Sequence, residues 1–277
     1  MCLIAFAWRS QPRYRLVLAA NRDEYFGRPA AQAGFWDDHP NVLAGRDLEA
    51  GGTWLGITLD GRFAALTNYR NPADKKTGAP SRGSLVSEFL TGKTAPMEYL
   101  QGVEQRAVNY NGFGLLVGDL ASLGFLSNRG GHSARVAPGV HGLSNHLLDT
   151  PWPKVEKGKS GLAALLDRPF DAKAVFGLLE DTERASGSEL PSTGVSLELE
   201  ERLSAIRILA VDGYGTRCST ALCLGEDGRI EFHERSYTED GGVSGTVGYR
   251  LTLAQGKARA SSRRAESPPP KTPFPAR

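Results

Sequence analysis

Apolar residues near the start of the chain fall in two almost continuous runs, Leu3–Trp8 and Tyr14–Ala20, separated by Ser10-Gln11-Pro12. Runs of this length bounded by turn residues predict a β-hairpin buried on both faces. A second hairpin is predicted over 52–68, where strand-like segments flank Asp60-Gly61, a dipeptide suited to a tight turn with positive φ. Further strand pairs fall at 113–120 with 123–127 and at 218–224 with 230–236, and single strands at 139–144 and 206–211. Apolar residues at helical spacing mark helices over 84–90, 96–108, 157–166 and 171–179, with Ser84 and Asp171 as N-caps. Residues 21–52 and 183–202 are punctuated by Gly, Pro and polar residues and read as loops. The first follows the opening hairpin directly, where a long irregular segment suits a binding loop; the second holds a short helix. Strands, two helices, strands, two helices, strands is the order of helices packed on antiparallel sheets, an α+β layered fold without βαβ repeats.

Charge divides the chain. Residues 257–277 contain six Lys/Arg, one Glu and five Pro, which leaves the body with 27 basic and 30 acidic residues. The segment 257–277 reads as a disordered, basic, Pro-rich tail, and 1–256 as a single domain. With the basic excess confined to the tail, the body carries no nucleic-acid footprint. No apolar run approaches the ~18–20 residues of a membrane span, and Arg9, Arg13 and Arg15 interrupt the N-terminus too early for a signal peptide. The expectation is a cytoplasmic protein without stable membrane insertion; oligomeric state is left open.

Three cysteines (Cys2, Cys218, Cys223) without a CxxC, and five histidines without HExxH spacing, indicate neither a disulfide framework nor a metal site. Cys218 and Cys223 lie in one apolar stretch and read as core. Cys2 is different. Removal of Met1, which a small second residue permits, leaves a thiol and a free α-amine on one residue. The thiol titrates near ~8.5 and the amine near ~7.7–8.0, so the amine can take the thiol proton near neutrality. That is the nucleophile and base of an N-terminal-nucleophile enzyme. One strand-turn-strand later the chain delivers Asn21, Arg22, Asp23 and Glu24, groups able to orient an amine and tune a thiol.

An ordered series of segments resembles the NRDE-motif family, also called the transport-and-Golgi-organisation protein 2 family. The series is Met1-Cys2-Leu3-Ile4, Ala20-Asn21-Arg22-Asp23-Glu24, Gly51-Gly52-Thr53-Trp54-Leu55-Gly56, Thr67-Asn68-Tyr69-Arg70, Gly142-Leu143-Ser144-Asn145 and Tyr214-Gly215-Thr216-Arg217. That family in turn is similar to cysteine N-terminal-nucleophile amidases acting on penicillin V and conjugated bile salts. The resemblance implies a four-layer αββα sandwich with two antiparallel sheets, and no cofactor. It also implies roles: Cys2 as nucleophile and base, Asn68 and Asn145 at the oxyanion, Arg217 near the nucleophile, and Arg22 with Asp23 orienting the amine. Arg22 and Asp23 are adjacent where the amidases space the two apart, and neighbours on a strand face opposite ways. Only one of the two can then face Cys2 unless the strand has already ended; Asp23 is expected to, on its charge complementarity to an ammonium, with Glu24 as fallback. Asn21, Glu24, Trp54 and Tyr69 are expected to contact substrate, and Trp36 to help line an acyl pocket. The implied reaction is cleavage of a linear amide or related acyl bond in a small molecule. The alternative is a non-catalytic handler of a small apolar ligand, because family members have been linked to haem trafficking and to lipid or acyl-CoA homeostasis.

Overall fold

The computed structural model describes residues 2–254. Its strands are Cys2–Gln11 (β1), Tyr14–Tyr25 (β2), Ala30–Phe35 (β3), Val42–Asp47 (β4), Leu55–Thr58 (β5), Phe63–Asn68 (β6), Phe113–Gly118 (β7), Leu123–Ser127 (β8), Ala134–Arg135 (β9), Gly139–Leu143 (β10), Tyr214–Gly225 (β11), Arg229–Tyr237 (β12) and Val243–Thr252 (β13). Its α-helices are Gly83–Thr91 (α1), Pro96–Arg106 (α2), Pro153–Leu165 (α3), Ala172–Leu179 (α4) and Leu197–Arg202 (α5).

The near-continuous apolar runs are explained by what covers each face. In β1, Ile4, Phe6 and Trp8 point into one core while Leu3, Ala5 and Ala7 point into another. Residues two apart share a face, so a strand with apolar positions of both parities needs cover on both sides. The six-stranded sheet β10-β1-β2-β11-β12-β13 and the seven-stranded sheet β3-β4-β5-β6-β7-β8-β9, antiparallel throughout, provide it. Between the sheets lies a core that includes Phe6, Leu18, Ile57, Phe63, Leu116 and Phe232. Outside the seven-stranded sheet, α1 and α2 contribute Leu85, Phe89, Leu100 and Val103 to a second core. Outside the six-stranded sheet, α3 and α4 bring Val155, Leu162, Phe176 and Leu179 onto Leu3, Ala5 and Ala221. The result is the expected αββα order of layers.

Several expectations need correction. Residues 21–52 are not one loop: β2 runs on to Tyr25, β3 is an edge strand of the seven-stranded sheet, and β4 lies next to it between β3 and β5. Strand β13, in a stretch of Ser, Gly and Thr alternating with larger residues, was not expected at all. The predicted strand over 206–211 is absent, leaving a single bridge between Val211 and Tyr214. Ser84 is not an N-cap; Arg82 holds that position, and the Ser84 hydroxyl donates to the Ser81 carbonyl. Helix α3 starts four residues early because Pro153 opens it, a position where proline's missing N–H costs nothing. The Asp171 cap on α4 is present, accepting from the Lys173 N–H. The basic, Pro-rich tail expected over 257–277 lies outside the described residues.

Candidate active site

Cys2 is the first residue of β1, and its cross-strand partner on β2 is Arg22. Parity places both toward the space between the sheets, at the rim of the sandwich. Asp23 lies one residue past the start of β1, so it overhangs the end of the hairpin. The Asp23 backbone N–H points at the Cys2 sulfur, and its carboxylate is close enough to act on the thiol. The adjacent pair thus flanks Cys2 together: Arg22 by cross-strand pairing, Asp23 by overhang. On the other side of β2 the partner strand β11 shifts register between Thr216 and Cys218, which leaves Arg217 as the extra residue of a bulge. The bulge sets Thr216 beneath Asp23, where its hydroxyl donates to Oδ1 at 2.6 Å.

A cleft of about 350 Å³ opens here. Its walls include Cys2, Arg22, Asp23, Glu24, Trp54 and Asn68, with Arg82 across from them. Glu24 accepts from the Tyr25 N–H through Oε1. Trp54 lies under the Arg22 guanidinium, 4.2 Å from ring centre to carbon. A second cavity of about 280 Å³ shares Arg22 and Trp54 as its wall and contains Glu234, Cys218 and Arg217.

The Cys2 thiol is pushed up, first by burial and then by the Asp23 carboxylate; the Asp23 N–H and the Arg22 guanidinium act the other way. Asp23 is itself raised, chiefly by burial, against Lys154, the Thr216 hydroxyl and Arg70, which favour its charged form. At rest the thiol is therefore protonated, and attack needs a base beside it.

Two residues here escaped the sequence reading. Lys154, in the first turn of α3, is 2% exposed, its Nζ has no hydrogen-bond partner among the described residues, and burial lowers it to about 8. Its position follows an N-terminal proline of a helix, with no pattern to mark it. Arg70 is buried in an ion pair with Glu200 and donates to Asn145 Oδ1 at 3.4 Å. Glu200 comes from α5, in the segment read as an exposed loop.

Other predicted residues are placed elsewhere. Asn145 is fully buried and does not reach the cleft; its side-chain amide donates to the Asn68 carbonyl at 2.9 Å, while the Arg70 N–H donates to the Asn145 carbonyl at 2.7 Å. Asn145 therefore positions Asn68. Arg217 lies in the second cavity, donating to the carbonyls of Tyr25 and Arg28, and so braces the exit of β2. Asn21 has the opposite parity to Arg22 and faces the helices, donating to the Leu179 and Ile206 carbonyls and accepting from Ser219. Tyr69 leaves the cleft because β6 ends at Asn68; its ring lies 4.8 Å from His146. Trp36 belongs to the core under α1 and α2. Cys218 and Cys223 are buried as expected, with thiols raised chiefly by burial, Cys223 to about 12. No cluster of His, Cys, Asp or Glu able to hold a metal occurs among the described residues, and no described helix is long and apolar enough to cross a membrane.

Comparison with known proteins adds a family and a set of likenesses. The family model described as Transport and Golgi organisation 2 matches residues 1–239. The Transport and Golgi organization protein 2 homolog of Bos taurus is 38% identical over 262 residues, covering 85% of this chain and 93% of the relative. The Homo sapiens homolog is 37% identical over 257 residues with the same coverage. Among solved structures, the C2A mutant of conjugated bile acid hydrolase from Clostridium perfringens is similar with a TM-score of 0.49 at 10% identity, covering 97% of both chains. A Caenorhabditis elegans ortholog of N-acylethanolamine-hydrolyzing acid amidase gives 0.40 at 13% identity, over 80% of this chain and 92% of that one.

Proposed function

The chain belongs to the Transport and Golgi organisation 2 family, and from that premise we propose that it is a cysteine N-terminal-nucleophile hydrolase acting on a linear amide or related acyl bond. The observation that carries the reading is the position of Cys2. It is the first residue of a central strand, at the rim of a cleft, with Asp23 overhanging it and Arg22 beside it.

In this mechanism removal of Met1 frees the Cys2 amine. The neutral amine takes the thiol proton, and the sulfur forms a bond to the substrate carbonyl carbon. The oxygen gains charge, and the side-chain amide of Asn68, steadied by Asn145, donates to it. Collapse breaks the C–N bond, the proton passes from the amine to the leaving nitrogen, and a thioester remains on Cys2. Water then attacks the thioester with the amine again as base, releasing the acid and restoring the thiol. Asp23, beside Cys2 and held by Thr216, suits an ammonium and would orient the amine between steps.

The ligand-handling alternative draws on one observation. Burial keeps the Cys2 thiol protonated, which a carrier tolerates and a nucleophile must overcome. Intact mass before and after a low dose of iodoacetamide, with Cys2→Ser as control, separates the two. Loss of Met1 together with alkylation at Cys2 ahead of Cys218 and Cys223 is the outcome expected of the hydrolase. A retained Met1, or a Cys2 no faster than the two buried thiols, would overturn it in favour of a binding protein.

A further inference from the structure

The arginines around the cleft differ in what they are bound to. Arg28 is paired with Asp47 at 2.8 Å and Glu49 at 3.0 Å. Arg70 is paired with Glu200, and Arg217 is held by two carbonyls. Arg22 is 7% exposed, yet among the described residues it makes no hydrogen bond or ion pair; the Trp54 ring lies 4.2 Å from it, and its charge acts on the nearby Cys2 thiol and Glu234 carboxylate. Its guanidinium borders both the Cys2 cleft and the second cavity. Across the cleft, Arg82 donates to the Gly112 carbonyl at 3.1 Å and has no acidic partner within ion-pair distance among the described residues.

The N–H groups of Arg22 have no acceptor among the described residues and open onto the cleft, and the planar fork they form fits a carboxylate or phosphate by two parallel hydrogen bonds. None of the acids nearby lies within ion-pair distance of Arg22 among the described residues, and each accepts a hydrogen bond elsewhere. Asp47 and Glu49 hold Arg28, Asp23 accepts from Thr216, and Glu24 accepts from the Tyr25 N–H. In the second cavity Glu234 accepts from the Ala33 N–H at 2.7 Å. The Trp54 ring, 4.2 Å from the guanidinium carbon, holds Arg22 at this wall by a cation–π contact.

We propose that the Cys2 cleft takes acyl compounds bearing a carboxylate or phosphate, whose anionic group sits on the fork of Arg22 with Arg82 opposite. The inference rests on the hydrolase reading for the word acyl; the anion site itself does not depend on it. The anion lies where the two cavities meet, and the reacting carbonyl lies against the Cys2 sulfur, the residue paired with Arg22 across the hairpin.

Iodoacetate and iodoacetamide test this, because they differ by one carboxylate and alkylate the same thiolate. Arg22 also favours the Cys2 thiolate, which changes both rates alike and cancels in their ratio. For Cys2 of the Met1-free protein the iodoacetate-to-iodoacetamide ratio is expected to exceed that of a small free thiol by about tenfold, and Arg22→Met to remove the excess. Arg82→Met should remove part of it. Calorimetric titration of the unsubstituted protein with inorganic phosphate and with acetate reads the site without the thiol, and the tighter of the two identifies the anion. A ratio equal to that of the free thiol, with neither anion binding, overturns the proposal; so does an excess or a binding isotherm that persists in folded Arg22→Met. A Cys2 inert to iodoacetamide while phosphate or acetate still binds through Arg22 would overturn the hydrolase reading alone.

Discussion

At the scale of single residues, burial sets the chemistry of the site more than pairing does. Glu234 is the clearest case: 2% exposed, bonded to the Ala33 N–H, and raised by burial to about 7 from an ordinary 4.5. Between those values the folded chain keeps a proton that the unfolded chain releases. Stability therefore falls as pH rises from about 4.5 to 7 and stays lowered above. Glu234→Gln keeps an acceptor for Ala33 and removes the charge. It should match the parent near pH 4.5 and exceed it above pH 7 by about 3 kcal/mol, read by urea unfolding at several pH values. Equal stability gains at both ends of the range would contradict this account. What the sequence disclosed at this scale was uneven. Cys2 and Asn68 were legible because each stands at a strand end, and Asp23 because it follows directly on the apolar run of β2. Lys154 and Glu200 were not, because their burial depends on which layer of helices closes over them, and no local pattern records that.

At the scale of elements, the paired strands were legible and the edges were not. The β5–β6 hairpin followed from Asp60-Gly61, and Gly61 has the positive φ of 82° that such a turn requires. Strands β3 and β13 escaped because edge strands are partly exposed, and their Gly and polar residues mimic loops; β4, buried and paired on both sides, escaped because its Gly45-Arg46-Asp47 reads as a turn. Arg22 and Asp23 both act on Cys2, Arg22 as its cross-strand partner and Asp23 from the part of β2 that runs past the start of β1. Contact between elements also fixes the cleft wall that carries Arg82. A Cβ added at Gly52 would come within 2.6 Å of the Gly83 carbonyl carbon and 2.9 Å of the Ser84 nitrogen, at the start of α1. Backbone there cannot swing aside as a side chain would, so Gly52→Ala should displace α1 and cost about 1–3 kcal/mol. Gly27→Ala, with nothing within 4 Å of the added carbon, serves as its control in the same denaturant titration. A Gly52 variant as stable as the Gly27 variant would mean that α1 is free to slide.

At the scale of the molecule, the four layers were legible because strands with apolar residues of both parities demand cover on both faces. Their closure is testable at Phe232, fully buried in the core between the sheets. Phe232→Ala should lower the free energy of unfolding by about 3–5 kcal/mol, while the equivalent change at exposed Leu48 should leave it within about 0.5 kcal/mol. The same architecture brings the site together from remote parts of the chain. Arg70 meets Glu200 across 130 residues, and Asp23 meets Thr216 across 193. A ribosome adding about 5–20 residues per second makes Thr216 roughly 10–40 s after Asp23. For that interval the start of the nascent chain is exposed without its finished surroundings. On the hydrolase reading, the removal of Met1 that it requires would belong to this window, which begins to close once β11 has been synthesised and docks against β2.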